Sequence, residues 1–378
     1  YRGIDVCKII EGCTAENRYS FEETVWLLIF GKLPDKRQYQ RISQLLYENR
    51  ELPEYFPEDV IMKNPSKDIM NKLARGVLTL YSYDENPDDL SLENNMRQSI
   101  SLIARMPAMM SYAYQVKRRH FDKKSMYIHP FEPQHKTAEA ILNAVREDKT
   151  FSEDEAKLLD LCMTLHAEHG GGNNSTFTAR VLSSADTDIY STIGAAIGSL
   201  KGFKHGGANL KVREMMDHVM EDVQDWGNED ELEAYLQKIV RGEAADKSGL
   251  IYGMGHAIYT KSDPRAIILK TKARELARTK GLEEKFALYE RVEKLSPDAF
   301  RIAKGNTKVI SANVDFYSGL VYQMLGIPQE LFTPLFAVSR IPGWCAHRIE
   351  ELTTGGRIIR PAYKALATNE EYIPIEQR

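Results

Sequence analysis

The sequence predicts a nearly all-α fold, and three observations carry that expectation. Helix-start devices recur ahead of apolar stretches. Alternating strand patterns bounded by Asn-Gly or Asp-Gly turns are absent, and no strand-helix alternation points to a parallel sheet. No internal repeat of about 20–50 residues stands out, nor any low-complexity tract.

The elements follow in chain order. Ser20-Phe21-Glu22-Glu23 reads as a capping box ahead of Val25, Trp26, Leu27, Leu28 and Ile29, with Gly31 and Pro34 ending the helix. The prolines of His129-Pro130-Phe131-Glu132-Pro133-Gln134-His135 interrupt helix, so that segment reads as a surface loop. Ser152 and Glu155 repeat the capping device before Leu158, Leu159, Leu161 and Leu165. A helical stretch with Val212, Met215, Met216 and Val219 comes next. Asn228 and Glu231 precede Leu232, Tyr235, Leu236 and Val240, with Gly242 as the stop. Asp263-Pro264 supplies a cap and a first-turn proline ahead of Ile267, Ile268, Ala273, Leu276 and Ala277, and Gly281 closes that helix.

At 378 residues the chain is long for a single core, so two domains of unequal size are expected. Lys plus Arg gives 50 against 54 Asp plus Glu, a net charge of −4, which leaves no domain-wide basic excess for nucleic acid. With 43% hydrophobic and 28% charged residues the balance is that of a globular protein able to bury a large core. Cys7, Cys13, Cys162 and Cys345 form no C-x-x-C and no disulfide-dense spacing, which fits a reducing compartment. No apolar run approaches the roughly 18 residues of a bilayer span. The opening Tyr1-Arg2-Gly3-Ile4-Asp5 is neither a signal peptide nor a start Met, so the natural chain is expected to begin upstream.

Glycine and histidine coincide in three places. Leu165-His166-Ala167-Glu168-His169-Gly170-Gly171-Gly172-Asn173-Asn174 ends the helix begun near Ser152, and its glycines let the backbone turn ring nitrogens toward a ligand. His-x-x-His spacing can place the rings of His166 and His169 on one helix face, which is open to a metal, yet neither His-Glu-x-x-His nor His-x-x-Glu-His is present; two histidines ending a helix structurally is the other reading. Gly202-Phe203-Lys204-His205-Gly206-Gly207-Ala208-Asn209 places His205 at a helix start, where the positive dipole end favours a neutral imidazole. Tyr252-Gly253-Met254-Gly255-His256 resembles half a dinucleotide fingerprint, but Ile258 occupies the third glycine's place and no strand precedes it. There is no P-loop either.

A lone acid lies in Asn313-Val314-Asp315-Phe316-Tyr317-Ser318-Gly319, an otherwise apolar stretch, where Asp315 is either a helix N-cap or a base of raised pKa. Ser339-Arg340-Ile341-Pro342-Gly343 and Gly355-Gly356-Arg357-Ile358-Ile359-Arg360-Pro361 set arginines beside glycine or proline. Guanidinium groups fixed in this way suit carboxylates, although single arginines commonly lie on the surface.

Taken in order, His-x-x-His-Gly-Gly-Gly-Asn, Lys-His-Gly-Gly-Ala-Asn, Gly-Met-Gly-His with Asp-Pro-Arg, Asn-Val-Asp, Ser-Arg and Arg-Pro closely resemble the citrate synthase family, its 2-methylcitrate synthases included. The likeness runs from Tyr1-Arg2-Gly3 to Tyr372-Ile373-Pro374-Ile375. It implies a helical homodimer with a large domain at 1–205 and 321–378, a small domain inserted at about 206–320, and a site in the cleft between them. It further implies that Asp315 is the base, that His205 hydrogen-bonds the acetyl thioester oxygen, and that His256 polarises the oxaloacetate carbonyl. Arg265, Arg340, His169 and Asn173 would meet oxaloacetate, with Arg360 reaching the partner subunit's site. Gly253, Met254, Gly255 and Asn313 resemble contacts to CoA. Relatives commonly carry Lys or Arg four residues after the residue matched by His256, where it can meet a CoA phosphate; here Thr260 stands there with Lys261 next, so either Lys261 substitutes as the CoA contact or CoA is held less tightly. The expected co-substrate is acetyl-CoA, with no tightly bound cofactor and no metal, in the cytoplasm of a bacterium. Two alternatives stand beside this: a 2-methylcitrate synthase taking propionyl-CoA, and an inactive helical dimer kept for interaction.

Overall fold

In the computed structural model of the protein, residues 1–255, 263–305, 310–368 and 370–378 are described. Among them the chain forms fifteen α-helices and no strand beyond one isolated bridge, Met254 to Ala312. The helices are α1 Val6–Ala15, α2 Phe21–Phe30, α3 Lys36–Glu48, α4 Ile69–Leu80, α5 Leu92–His120, α6 Thr137–Val145, α7 Glu153–His166 and α8 Asn174–Ser183. They continue with α9 Ile189–Lys201, α10 Ala208–Asp222, α11 Glu229–Arg241, α12 Pro264–Lys280, α13 Glu283–Lys304, α14 Val314–Met324 and α15 Phe332–Thr353. The all-α expectation holds among the described residues, and His129–His135 falls in the non-helical stretch between α5 and α6.

Several helix ends are as the sequence predicts. Ser152 and Glu155 form a reciprocal capping box on α7, and Asp263 caps α12 with Pro264 in its first turn. Gly31, Gly242 and Gly281 end α2, α11 and α12 in the left-handed conformation that glycine adopts without a Cβ penalty.

Two capping boxes are not formed. The Ser20 side chain does not cap α2; instead Asp160, from the middle of α7, accepts the backbone N–H groups of Ser20 at 2.6 Å and Phe21 at 3.1 Å, and also the Ser20 hydroxyl at 2.8 Å. Glu23 turns away to pair with Arg18. A carboxylate contributed across the core has displaced the local device, and burial, with the charge of Glu22 adding, pushes Asp160 up to about 7. At α11, Asn228 caps as expected, but Glu231 accepts from the backbone of Gln224 and Asp225 rather than closing the box.

The helix α15 runs through the core. Phe332, Leu335, Ile341 and Trp344 are all fully buried, and a helix apolar on every side belongs inside. It packs on α2, α4, α5, α7, α8, α9 and α10. Gly343 allows its closest approach: a Cβ there would lie 2.3 Å from the Ala167 carbonyl and 2.5 Å from Glu168 Oε2. The middle of α15, with Arg340, is thereby pressed against the C-terminal end of α7. Elsewhere α11 packs on α13, and α12 on α13 and α14, while α12 also touches α1 and α7. Arg265 in the first turn of α12, Asp315 in the first turn of α14 and Arg340 in the middle of α15 are electrostatic neighbours.

Candidate active site

Arg340 is fully buried. Its Nε donates to the His166 carbonyl, and its guanidinium stands 4.8 Å from the centre of the Phe336 ring. Among the described residues its two terminal nitrogens have no hydrogen-bond partner, and neither have both ring nitrogens of His166 and Glu168 Oε2. Unpaired buried polar atoms are uncommon, and here they cluster around a cation, an arrangement suited to a polar anion. Burial lowers Arg340 to about 10, leaving it charged at neutral pH. His166 lies well below the usual histidine range through burial and the nearby charges of Arg340 and Arg265, so it is neutral.

Arg265, also buried, is held by Asp263: the Asp263 carboxylate accepts Arg265 Nε at 3.1 Å and Nη2 at 2.9 Å. The sequence reading took Asp263 only as a cap. Asp315 follows on α14. It is not the N-cap; Asn313 is, its Oδ1 accepting the Asp315 N–H at 3.0 Å. The cap alternative for Asp315 thus gives way to a first-turn carboxylate. Part of Asp315 stays accessible, yet surrounding protein raises it to about 6, with Asp263 adding to the rise and Arg265 and Arg340 opposing it.

His205 lies in the turn between α9 and α10, three residues ahead of Ala208, so its neutrality does not come from the first turn of α10. Burial, then the charge of Arg340, lowers it to about 4. Its Nε2 accepts the Ser175 N–H at 3.3 Å and lies 2.9 Å from the Ser175 hydroxyl, so it faces the N-terminus of α8 instead. An imidazole whose Nε2 accepts carries its proton on Nδ1, the atom then able to donate. Asn173 caps α8 and accepts the Ser175 hydroxyl at 2.9 Å. His169 is partly exposed beside Glu168, whose Oε1 lies 3.0 Å from His347 Nε2.

The 253–255 loop is fastened to the start of α14. Gly255 N–H donates to the Ser311 carbonyl at 2.7 Å, Asn313 N–H to Gly253 at 2.9 Å, and Asn313 Nδ2 to the Gly255 carbonyl at 3.0 Å. Gly253 has φ +77°, and a Cβ there would lie 2.9 Å from the Phe316 Cα, so only glycine fits. Met254 forms the bridge to Ala312. The Asn313 side chain is thus spent within the chain, bracing the loop. His256 and Lys261, with Thr260, lie outside the described residues. Arg360 is exposed on the segment after α15, where Ile359 N–H donates to the Ser184 hydroxyl.

Four residues near this cluster escaped the sequence reading: Tyr1, Glu168, Ser175 and Asp263. Tyr1 donates its hydroxyl to the Thr164 carbonyl at 2.7 Å, and burial raises it to about 12, with Arg265 and Arg340 opposing. Only the Asp-x-Arg spacing of Asp263 and Arg265 offered a signal. Among the described residues no group of three or more His, Cys, Asp and Glu is arranged to hold a metal. A cavity of about 350 Å³ between α1, α7 and α12, lined by Arg18, Lys157, Asp160 and Lys272 among others, contains none of the motif residues.

Comparison with known families matches residues 1–362 to the family described as citrate synthase, C-terminal domain. The chain belongs to the citrate synthase family. The citrate synthase of Synechocystis is 32% identical over all of this chain and 87% of its own length, and that of Deinococcus radiodurans 34% identical over 95% of this chain and 89% of its own. A 2-methylcitrate synthase of Shewanella oneidensis is 31% identical over all of this chain and 91% of its own. Among solved structures, the citrate synthase of Pyrobaculum aerophilum aligns with TM-score 0.81 at 30% identity, covering all of this chain and 89% of that one. The citrate synthase of Thermoplasma acidophilum, a ternary complex with carboxymethyl coenzyme A and oxaloacetate, aligns with TM-score 0.82 at 25% identity, covering 98% and 91%. Within the citrate synthase family, then, this chain gathers a raised carboxylate and a buried guanidinium in the first turns of α14 and α12, a neutral imidazole in the turn before α10, and a second buried guanidinium in the middle of α15.

Proposed function

We propose that the chain condenses acetyl-CoA with oxaloacetate and hydrolyses the citryl thioester to citrate and CoA. The observation that carries this reading is the pairing of Asp315, a carboxyl raised to about 6, with two buried arginines one of which has unpaired terminal nitrogens. The methyl hydrogen of a thioester is weakly acidic, so its removal needs a base and a donor to the developing enolate oxygen together. Asp315 takes the proton, breaking the C–H bond. His205 donates from Nδ1 to the enolate oxygen without needing to be charged. The enolate carbon attacks the oxaloacetate ketone, which becomes an alkoxide and is protonated. Water then adds to the thioester carbonyl and the C–S bond breaks. Arg265, Arg340 and His169 hold the oxaloacetate carboxylates, Asn173 supports that loop, and His256 is assigned to the ketone by family likeness alone. Gly253, Met254, Gly255 and Lys261 are assigned to CoA in the same way, with Asn313 bracing their loop.

The assembly belongs to the same proposal. A smaller unit at about 206–320 is supported by the mutual packing of α11 with α13 and of α12 with α13 and α14, although residue 320 itself lies inside α14. Closure of that unit over the substrates excludes water. Arg360 completes the partner subunit's site in a homodimer, which accounts for its exposure in a single chain. A cytoplasmic location is supported by four unpaired cysteines; no helix among the described residues is long and apolar enough to cross a membrane. The Shewanella relative keeps propionyl-CoA as a second reading, since one methylene is worth about 1–3 kcal/mol in a pocket. An inactive helical dimer finds no support, because Asp315 and His205 are both in place.

Three measurements check these assignments. The specificity constant for acetyl-CoA is expected to exceed that for propionyl-CoA, and a reversed order selects the second reading. Because the base works deprotonated and its pKa is raised, kcat/KM for acetyl-CoA is expected to fall about tenfold per pH unit below about 6; His205, at about 4, stays neutral over that range. A flat profile from pH 7 to 5 removes Asp315 as the base. Subunits carrying Arg360→Gln and Asp315→Asn, each inactive alone, are expected to regain activity when mixed, because a hybrid dimer holds one intact site; no recovery places Arg360 in its own subunit.

A further inference from the structure

Asp263 does more than a cap requires. Its Oδ1 accepts the Arg265 N–H at 3.0 Å, which is the cap of α12, and also Arg265 Nε at 3.1 Å. Its Oδ2 accepts Arg265 Nη2 at 2.9 Å and, from another helix, the Val314 N–H at 3.1 Å. Val314 is the first residue of α14 and precedes Asp315. One carboxylate therefore grips the side chain of Arg265 along one edge and ties the N-termini of α12 and α14 together. It does this at 1% exposure.

Capping alone does not call for this residue. Serine and asparagine cap as well as aspartate and carry no charge to desolvate, whereas a buried carboxylate is costly unless its remaining lone pairs are filled. They are filled by Arg265 and Val314, the two groups that set where a substrate-facing guanidinium and the proposed base stand relative to one another.

We propose that Asp263 is a positioning residue of the condensation, holding the Arg265 guanidinium in register for oxaloacetate and fixing α12 to α14 so that Arg265 and Asp315 address the same pair of substrates. This rests on the function proposed above. Asp263 also contributes a like charge to the surroundings of Asp315. Among the described residues these comprise Arg265 and Asp263 from α12, Arg340 from α15, and Tyr322 on α14 itself. Removing Asp263 deletes a neighbour that favours protonation of Asp315 and frees the charge of Arg265 to oppose it, and both effects act in the same direction.

The test uses Asp263→Asn and Asp263→Ser, which retain a capping side chain but not the two-oxygen grip, in comparison with Arg265→Gln and the double variant Asp263→Asn/Arg265→Gln. The full-length enzyme is assayed throughout. Both Asp263 variants are expected to keep the parent's helical circular dichroism and to raise KM for oxaloacetate by about tenfold or more, the loss of a charge-assisted contact. The acid limb of kcat/KM for acetyl-CoA is expected to move down by about half a pH unit or more. The double variant is expected to be no worse in oxaloacetate KM than Arg265→Gln alone, because Asp263 acts through Arg265. A folded variant with the parent's KM and an unmoved limb overturns the proposal, and so do fully additive effects. Loss of the helical signal in both variants also overturns it, by making Asp263 a structural residue. If Arg265→Gln itself leaves KM for oxaloacetate unchanged, the fault lies in the proposed function of the site rather than in the role of Asp263.

Discussion

Arg340 is buried completely with its two terminal nitrogens unpaired among the described residues, which costs several kcal/mol as a contribution to folding alone. The surroundings keep it there. Its Nε is tied to the end of α7 through the His166 carbonyl, Phe336 lies under its plane, and Gly343 lets α15 approach α7 closely enough for both contacts. His166, neutral and sealed beside it, adds no competing charge. Under the proposed function the free terminal nitrogens take a substrate carboxylate, so that binding energy is gained at hydrogen-bonding positions left open among the described residues.

The other groups of the site are placed by helix ends converging on that cation. N–H groups in the first turns of α8, α12 and α14 are taken up by His205 for α8, by Asp263 for α12, and by Asp263 and Asn313 for α14, and the positive ends of these helices favour anions and neutral imidazole. The same burial that lowers His205 raises Asp315, because the charged form is the costly one in each case, so one environment yields both a neutral donor and a stronger base. Asp263 and Asn313 then lock the pieces: the first joins α12 to α14, the second joins α14 to the loop at Gly253 and Gly255.

What was legible in the sequence was local. The Ser152 and Glu155 box, the Asp263-Pro264 start and the left-handed glycines are each decided within a few residues, and each is found. Ser20 misled because its helix is capped by Asp160, 140 residues further along, and no short-range pattern announces a carboxylate delivered across a core. Asp315 admitted two readings until Asn313 was seen to supply the cap. The ordered motifs named the cluster of Arg265, Asp315, Arg340 and His205 through family likeness, but gave no role to Glu168, Ser175 or Tyr1, since their part depends on which backbone they meet after folding. Arg360 is exposed on the segment after α15, and the role proposed for it in a partner subunit rests on family likeness.

The central claim is that the terminal nitrogens of Arg340, without a hydrogen-bond partner among the described residues although Glu168 stands nearby, are taken up by a dicarboxylate in the proposed reaction. Melting temperature in the presence and absence of excess oxaloacetate tests it directly, for the parent and for Arg340→Gln. Oxaloacetate at about a hundred times its Kd stabilises a one-site protein by about 2.7 kcal/mol, so the parent's Tm is expected to rise by a few degrees. The folded variant is expected to show no rise at the same concentration. An equal rise in both proteins would contradict the account, since oxaloacetate would then bind without the buried guanidinium.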